Sequence, residues 1–201
     1  GSVGTGKTVV ALHWAAERAR RSAADGHGLS VLFTTFVKTL PPVFENLYNR
    51  MPDCVPGAVE FVHIHKLAYQ VCRAAGDNPW VNMSAVTEAS KAAFKQVVRA
   101  GTPLGDDGID RSYLEAEVRA VIKGRGIRSL EEYLKVLRTG RGTRFDPSRR
   151  RQAWDYMKEW DAGMAQPDTL DFADTITRAV EHAQGFTGPW YRAAVIDEAQ
   201  D

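Results

Sequence analysis

The chain has 201 residues, 44% of them hydrophobic and 25% charged, with a formal net charge of +1, which fits an ordinary globular protein of one large or two small domains and does not by itself announce a nucleic-acid binder. Cys54 and Cys72 have no CxxC spacing and no histidine cluster beside them, which argues against a disulfide framework or zinc site and fits a reducing cytosol. No apolar run approaches the roughly 20 residues that cross a bilayer, and no signal peptide is visible.

In chain order, residues 1–8 form a glycine-rich loop, and Thr8 to Ala24 follows with helical patterning that stops at Asp25-Gly26-His27-Gly28. Leu29 to Phe36 is short, β-branched and aromatic, as a buried parallel strand should be. Pro41-Pro42 can open the next helix. Val59 to Ile64 reads as a second strand and His65 to Ala75 as helix. From Gly76 to about 166 strand-like runs disappear, and helices are predicted over 85–100, 112–123, 130–138 and 148–165. Loops rich in Gly, Pro and Asp separate them, and Ser129 with Glu132 reads as a helix start. A helix over 171–184 then leads to a last apolar strand, Ala193 to Ile196, which runs into Asp197-Glu198-Ala199-Gln200-Asp201. Strands alternating with helices predict a parallel sheet. The middle block is too long for a connection and reads as an inserted helical subdomain. The expected organisation is therefore 1–75, an insertion over 76–166, and 167–201 completing the first domain. Both ends read as cut, because the chain begins inside one motif and stops inside another.

Charge is uneven. Between Arg119 and Arg151 the bases Arg119, Lys123, Arg125, Arg128, Lys135, Arg138, Arg141, Arg144, Arg149, Arg150 and Arg151 face only Glu131, Glu132 and Asp146. Such a stretch can neutralise phosphates or form a solvated helical face.

Gly1-Ser2-Val3-Gly4-Thr5-Gly6-Lys7-Thr8 fits G-x-x-x-x-G-K-[ST]. Its glycines allow backbone N–H groups to curl around phosphate oxygens at a helix N-terminus. Lys7 would hold the β- and γ-phosphates of ATP, and the Thr8 hydroxyl would ligate Mg²⁺. Asp197-Glu198 closes an apolar strand, and a carboxylate there sits at the ligand-binding rim of a parallel sheet. Asp197 would hold Mg²⁺, and Glu198 would orient and deprotonate the attacking water.

Asp197-Glu198-Ala199-Gln200-Asp201 resembles the second motif of superfamily 1 DNA helicases of the UvrD/Rep type. Leu32-Phe33-Thr34-Thr35-Phe36 with Lys38 resembles that family's motif Ia, and residues 62–68 resemble its motif Ib. Leu170-Asp171-Phe172-Ala173-Asp174 resembles the stretch upstream of its motif II, and residues 138–154 its helical insertion. The chain departs from the pattern at Val37, at Pro41-Pro42, and at His63 and Ile64, where the family more often has Thr and Phe.

The resemblance implies a RecA-like P-loop NTPase sheet, incomplete here, with the helical subdomain inserted. It implies a bacterial cytoplasmic motor that uses ATP and Mg²⁺ to move 3′-to-5′ on single-stranded DNA and open duplex junctions. A second RecA-like domain of the full-length chain would complete its site. It also implies that Gln200 couples ATP state to DNA grip, and that Thr35, Phe36 and His65 touch DNA. Phe36 could stack any base through its π-face, or fill a strand end. His65 could contact DNA or be structural, and Thr35 could donate to phosphate or cap the turn. Two other readings stay open: a P-loop enzyme or kinase unrelated to DNA, and a translocase or nuclease subunit that moves without unwinding.

Overall fold

A computed structural model of the chain describes residues 6–26, 28, 30–140, 142–164, 169–186 and 190–197. The first strand, β1 (Val31–Thr35), is buried at all five positions. It pairs in parallel on both sides, with β2 (Val59–His63) and β3 (Ala193–Asp197), so the order is β2-β1-β3. The fold is α/β with an all-parallel sheet, and the residues divide into two compact units. One comprises Gly1–Ala75 with Ala179–Asp201, the other Gly76–Arg178. No helix among the described residues is long and apolar enough to cross a membrane.

In the sheet unit, α1 (Lys7–Ala24) buries Leu12, Ala15, Ala16 and Ala19, a narrow stripe of mostly small side chains that lets the helix lie close. It shares a core with Val31, Phe33, Phe44 and Tyr48. Two prolines open α2 (Pro41–Asn49), where a missing N–H costs nothing. Phe44 of α2 stands 5.3 Å from Phe33, and Tyr48 stands 5.4 Å from Phe61. The Tyr48 hydroxyl donates to the Val55 carbonyl at 3.1 Å and accepts from the Val55 N–H at 3.0 Å, pinning the loop that enters β2.

No loop separates β2 from α3 (Ile64–Ala74). The strand expected to include Ile64 ends at His63 instead, because the His63 ring takes over as cap: Nδ1 accepts from the Lys66 N–H at 3.4 Å. Glu60 of β2 accepts from Gln70 of α3 at 2.9 Å and from the Tyr191 hydroxyl at 2.6 Å, joining three segments at one carboxylate.

The helical unit is built from α4 (Met83–Val97), α5 (Pro103–Asp106), α6 (Arg111–Glu117), a π-helix (Val118–Lys123), α7 (Leu130–Lys135), α8 (Pro147–Gly163) and the start of α9 (Phe172–Ala183). Helices α4 to α8 each start on a polar side chain that accepts from a first-turn N–H: Asn82, Thr102, Asp110, Ser129 and Asp146. At α7 the Ser129 hydroxyl accepts from the Glu132 N–H at 3.2 Å, while the Glu132 carboxylate reaches back to the Arg128 N–H at 2.9 Å. Helix α5 lies inside a segment that composition marks as loop, since Thr102 and Pro103 make a favourable helix start. Val86, Leu104, Leu114, Ile122, Tyr156 and Trp160 belong to the core. The Trp160 indole N–H donates to the Val86 carbonyl at 3.0 Å.

Two expected helices change course. The helix expected to run to residue 123 widens after Glu117 into the π-helix. Gly124 accommodates the wide turn, since a Cβ there would lie 2.5 Å from the Arg119 carbonyl oxygen. The helix expected to reach Arg138 stops at Lys135, and Arg138 turns inward onto Glu117.

Glu117 is fully buried. Arg138 grips it through Nε at 2.6 Å and Nη2 at 2.8 Å, and the Tyr133 hydroxyl donates at 2.7 Å. Burial works against the Arg138 charge, but Glu117 holds its pKa above the ordinary value; burial and then Glu117 push Tyr133 up as well. Arg150 caps the end of α7 by donating to the Tyr133 carbonyl at 2.5 Å and the Val136 carbonyl at 2.9 Å. Arg125 donates to the Leu137 carbonyl at 2.6 Å, Arg149 pairs with Asp107 and Asp146, and Lys135 pairs with Glu131. Much of the basic stretch is thus engaged within the unit.

Replacing Glu117→Gln leaves the guanidinium of Arg138, 5% exposed, without its counter-charge. The expected result is destabilisation by about 3–5 kcal/mol, the range for breaking one side of a buried ion pair. Urea unfolding of the variant against the parent chain measures it.

Candidate functional site at the carboxyl edge of the sheet

The double pairing of β1 sets three strand ends level. Thr35 is in register with His63 on one side and with Asp197 on the other. In an open parallel sheet this edge is where ligands bind. Side chains alternate along a strand, so Thr35 and Asp197 point to the same face as Val31, Phe33, Ala193 and Val195. Those residues belong to or pack against the core shared with α1.

Helix α1 begins at this unit's glycine-rich segment. Gly6 caps it in the left-handed region, φ +70°, which favours glycine, and its carbonyl accepts from the Val10 N–H at 3.1 Å. Lys7 is exposed and Thr8 half-buried. No acidic side chain lies in the first turn, so the partial positive charge of the helix end is not cancelled locally. Lys7, Val10, Ala11 and Trp14 line one side of a shallow depression, and Ala194 and Val195 of β3 the other. Asp197, half-buried, closes that strand. Gly1, Ser2, Val3, Gly4, Thr5, Glu198 and Gln200 lie outside the described residues.

The donor set suits a nucleoside triphosphate with its metal: a helix N-terminus and an ammonium for phosphate, and a hydroxyl and a carboxylate for Mg²⁺. Lys7, Thr8 and Asp197 are the described residues that would hold these groups.

The strand ends β1 and β2 carry a second cluster. Thr35 is buried, and its hydroxyl accepts from the Val37 N–H at 3.3 Å, so it shapes the turn after β1. That turn presents Phe36, 58% exposed, to solvent. His65 stands edge-on to Phe36 with centroids 5.6 Å apart, and the His63 ring follows at 6.0 Å from His65. Burial, then Lys38 and Lys66, hold the His63 pKa below the ordinary histidine value; burial, then His63, does the same for His65. Both shifts favour the neutral ring, which can donate and accept hydrogen bonds. The sequence treats His63 only as a departure from a motif, whereas the structure makes it strand end, helix cap and ring neighbour at once. Its position one residue before a helical run, where capping side chains stand, is the signal that could have identified it.

The structure thus groups Thr35, Phe36 and His65 on adjoining strand ends, with Asp197 level with Thr35. Lys7 and Thr8 start the helix that packs beside β3. The chain matches no family model, no curated protein and no solved structure.

The two histidines give a measurable signature. Lys38→Met removes one of the charges that lower His63, so the His63 titration midpoint should rise while that of His65 moves less. An NMR titration of the imidazole protons reads both.

Proposed function

We propose that the chain is the ATP-binding and hydrolysing region of a DNA helicase with a RecA-like core. Such a protein would turn ATP hydrolysis into movement along single-stranded DNA and separation of duplex. The observation that supports this reading best is the level of the strand ends. Asp197 stands beside Thr35 on the face against which α1 packs, and α1 starts at Gly6-Lys7-Thr8. In this reading a phosphate-binding helix start lies beside the strand that ends on a metal-binding carboxylate. The aromatic and histidine rings on the neighbouring strand ends add a face suited to unpaired bases.

In this reading Lys7 and the N–H groups of the α1 start bind phosphate, and Thr8 and Asp197 hold Mg²⁺. Bound ATP supplies the phosphoanhydride bond whose hydrolysis drives movement. Glu198 takes the proton of the attacking water, and Gln200 links that site to DNA. The remaining residues of the loop, Gly1 to Thr5, would complete the cradle. An arginine from a second RecA-like domain of the full-length protein would stabilise the transferring charge.

The test is ATP hydrolysis by the full-length protein with and without single-stranded DNA. Stimulation by DNA is expected, together with its loss in Lys7→Ala. Hydrolysis indifferent to DNA would point to a P-loop enzyme acting elsewhere and sink the motor reading. Stimulated hydrolysis without strand separation would reassign the protein as a translocase. Phe36→Ala should weaken single-strand binding by about 1–3 kcal/mol, the range for losing one stacked base, and leave nucleotide affinity intact.

In this reading hydrolysis depends on an arginine from a second RecA-like domain, so the 201 residues on their own should turn nucleotide over poorly. Brisk DNA-stimulated turnover by the isolated chain would refute that dependence.

A further inference from the structure

The helical unit contains a charge imbalance that the proposed chemistry does not use. Lys123, at the end of the π-helix, is 8% exposed, and three carboxylates converge on its ammonium. Asp161 of α8 approaches to 2.7 Å, Asp171 to 3.0 Å and Asp174 to 2.8 Å. Asp171 is 4% exposed, Asp174 26% and Asp161 42%. One ammonium cannot neutralise three carboxylates, and like charges gathered around a single cation in a shielded site cannot all ionise freely.

The same carboxylates start α9. Asp171 Oδ1 accepts from the Asp174 N–H at 2.8 Å, and Asp174 Oδ2 accepts from the Asp171 N–H at 3.3 Å. The Thr175 hydroxyl donates to the Asp171 carbonyl at 3.0 Å. The cluster therefore fastens the first turn of α9 to the π-helix and to α8. Among the described residues, the charged groups facing Asp174 are Lys123 from the π-helix, Asp161 from α8 and Asp171 from its own turn. Arg119 lies over the Trp160 ring, which Lys123 also approaches, and Arg178, one turn along α9, is paired with Asp77 at 2.7 Å.

We propose that this cluster is a proton-operated latch: one proton shared into the three carboxylates holds the first turn of α9 on the helical unit, and loss of that proton loosens it. Asp174 is the carrier. It is more shielded than Asp161, and burial and then Asp171 raise its pKa to about 6, above the ordinary 3.8. Asp161 shifts the same way through burial, opposed by Lys123, but its exposure screens it more. A raised carboxylate pKa means that the closed state keeps a proton the open chain has released. The latch is then strongest below the open-chain value and weakens as pH rises through the folded value.

Amide protection of residues 171–178 in the 201-residue chain, corrected for intrinsic exchange at each pH, tests this. The fall expected is on the order of tenfold per pH unit from about pH 4 to about pH 6, with a plateau above. Asp174→Asn, which keeps the shape and removes the titration, should flatten the profile. Asp161→Asn should keep the fall but end it at lower pH, because one repelling charge is gone. A flat wild-type profile overturns the latch, as does an unchanged fall in Asp174→Asn. Should that variant fail to fold, an Asp161→Asn profile identical to wild type has the same consequence.

Discussion

The double parallel pairing of β1 is the constraint on which the rest of the sheet unit rests. A strand buried on every side chain and bonded along both edges has one register, since a slip of one residue would turn Val31, Phe33 and Thr35 away from the α1 and α2 core. That register alone brings Thr35, His63 and Asp197 level, though they come from distant parts of the chain. It also fixes which face each presents. Because β2 passes into α3 without a loop, the position of His63 sets the start of that helix too. The strand ends are thus fixed in register, and the exposed aromatic Phe36 is carried on a turn that Thr35 helps to shape.

The helical unit is organised by a different principle. Its core is apolar, but its irregular connections are held by charge meeting backbone. Arg150 and Arg125 fill the carbonyls left at and after the end of α7, and Arg138 binds both Glu117 and the Thr143 carbonyl. Arginine suits this work because its planar fork serves several acceptors at once without losing its charge. The surplus of bases between residues 119 and 151 therefore has a structural use before any surface role is considered.

What was legible in the sequence follows from the range over which each signal acts. The strands are visible because β-branched and aromatic residues run together between turn-forming ones, and the start of α7 because Ser129 sits next to the N–H it serves. Asp197 stands out by its place at a strand end, which is a local property, whereas Thr35 enters through the resemblance of residues 32–36 to a motif. The failures are non-local. Nothing around Arg138 reveals that its partner lies 21 residues upstream, so the local pattern extends the helix of α7 to Arg138. Nothing in the pattern after Glu117 distinguishes a π-helix from a continued α-helix, because both present apolar residues on one side. The charged stretch hides its partners for the same reason: the acids that answer it, Asp107, Glu117, Asp161, Asp171 and Asp174, all lie outside residues 119–151.

Trp160 carries a practical consequence. Of the five tryptophans, it is the one that is fully buried, with its N–H fixed to a carbonyl and two cations, Arg119 and Lys123, over its ring. Trp14, Trp80 and Trp190 are all well exposed. Full burial gives its indole surroundings distinct from theirs. The protein thus carries an intrinsic optical reporter inside the helical unit, placed where the π-helix, α8 and the first turn of α9 converge.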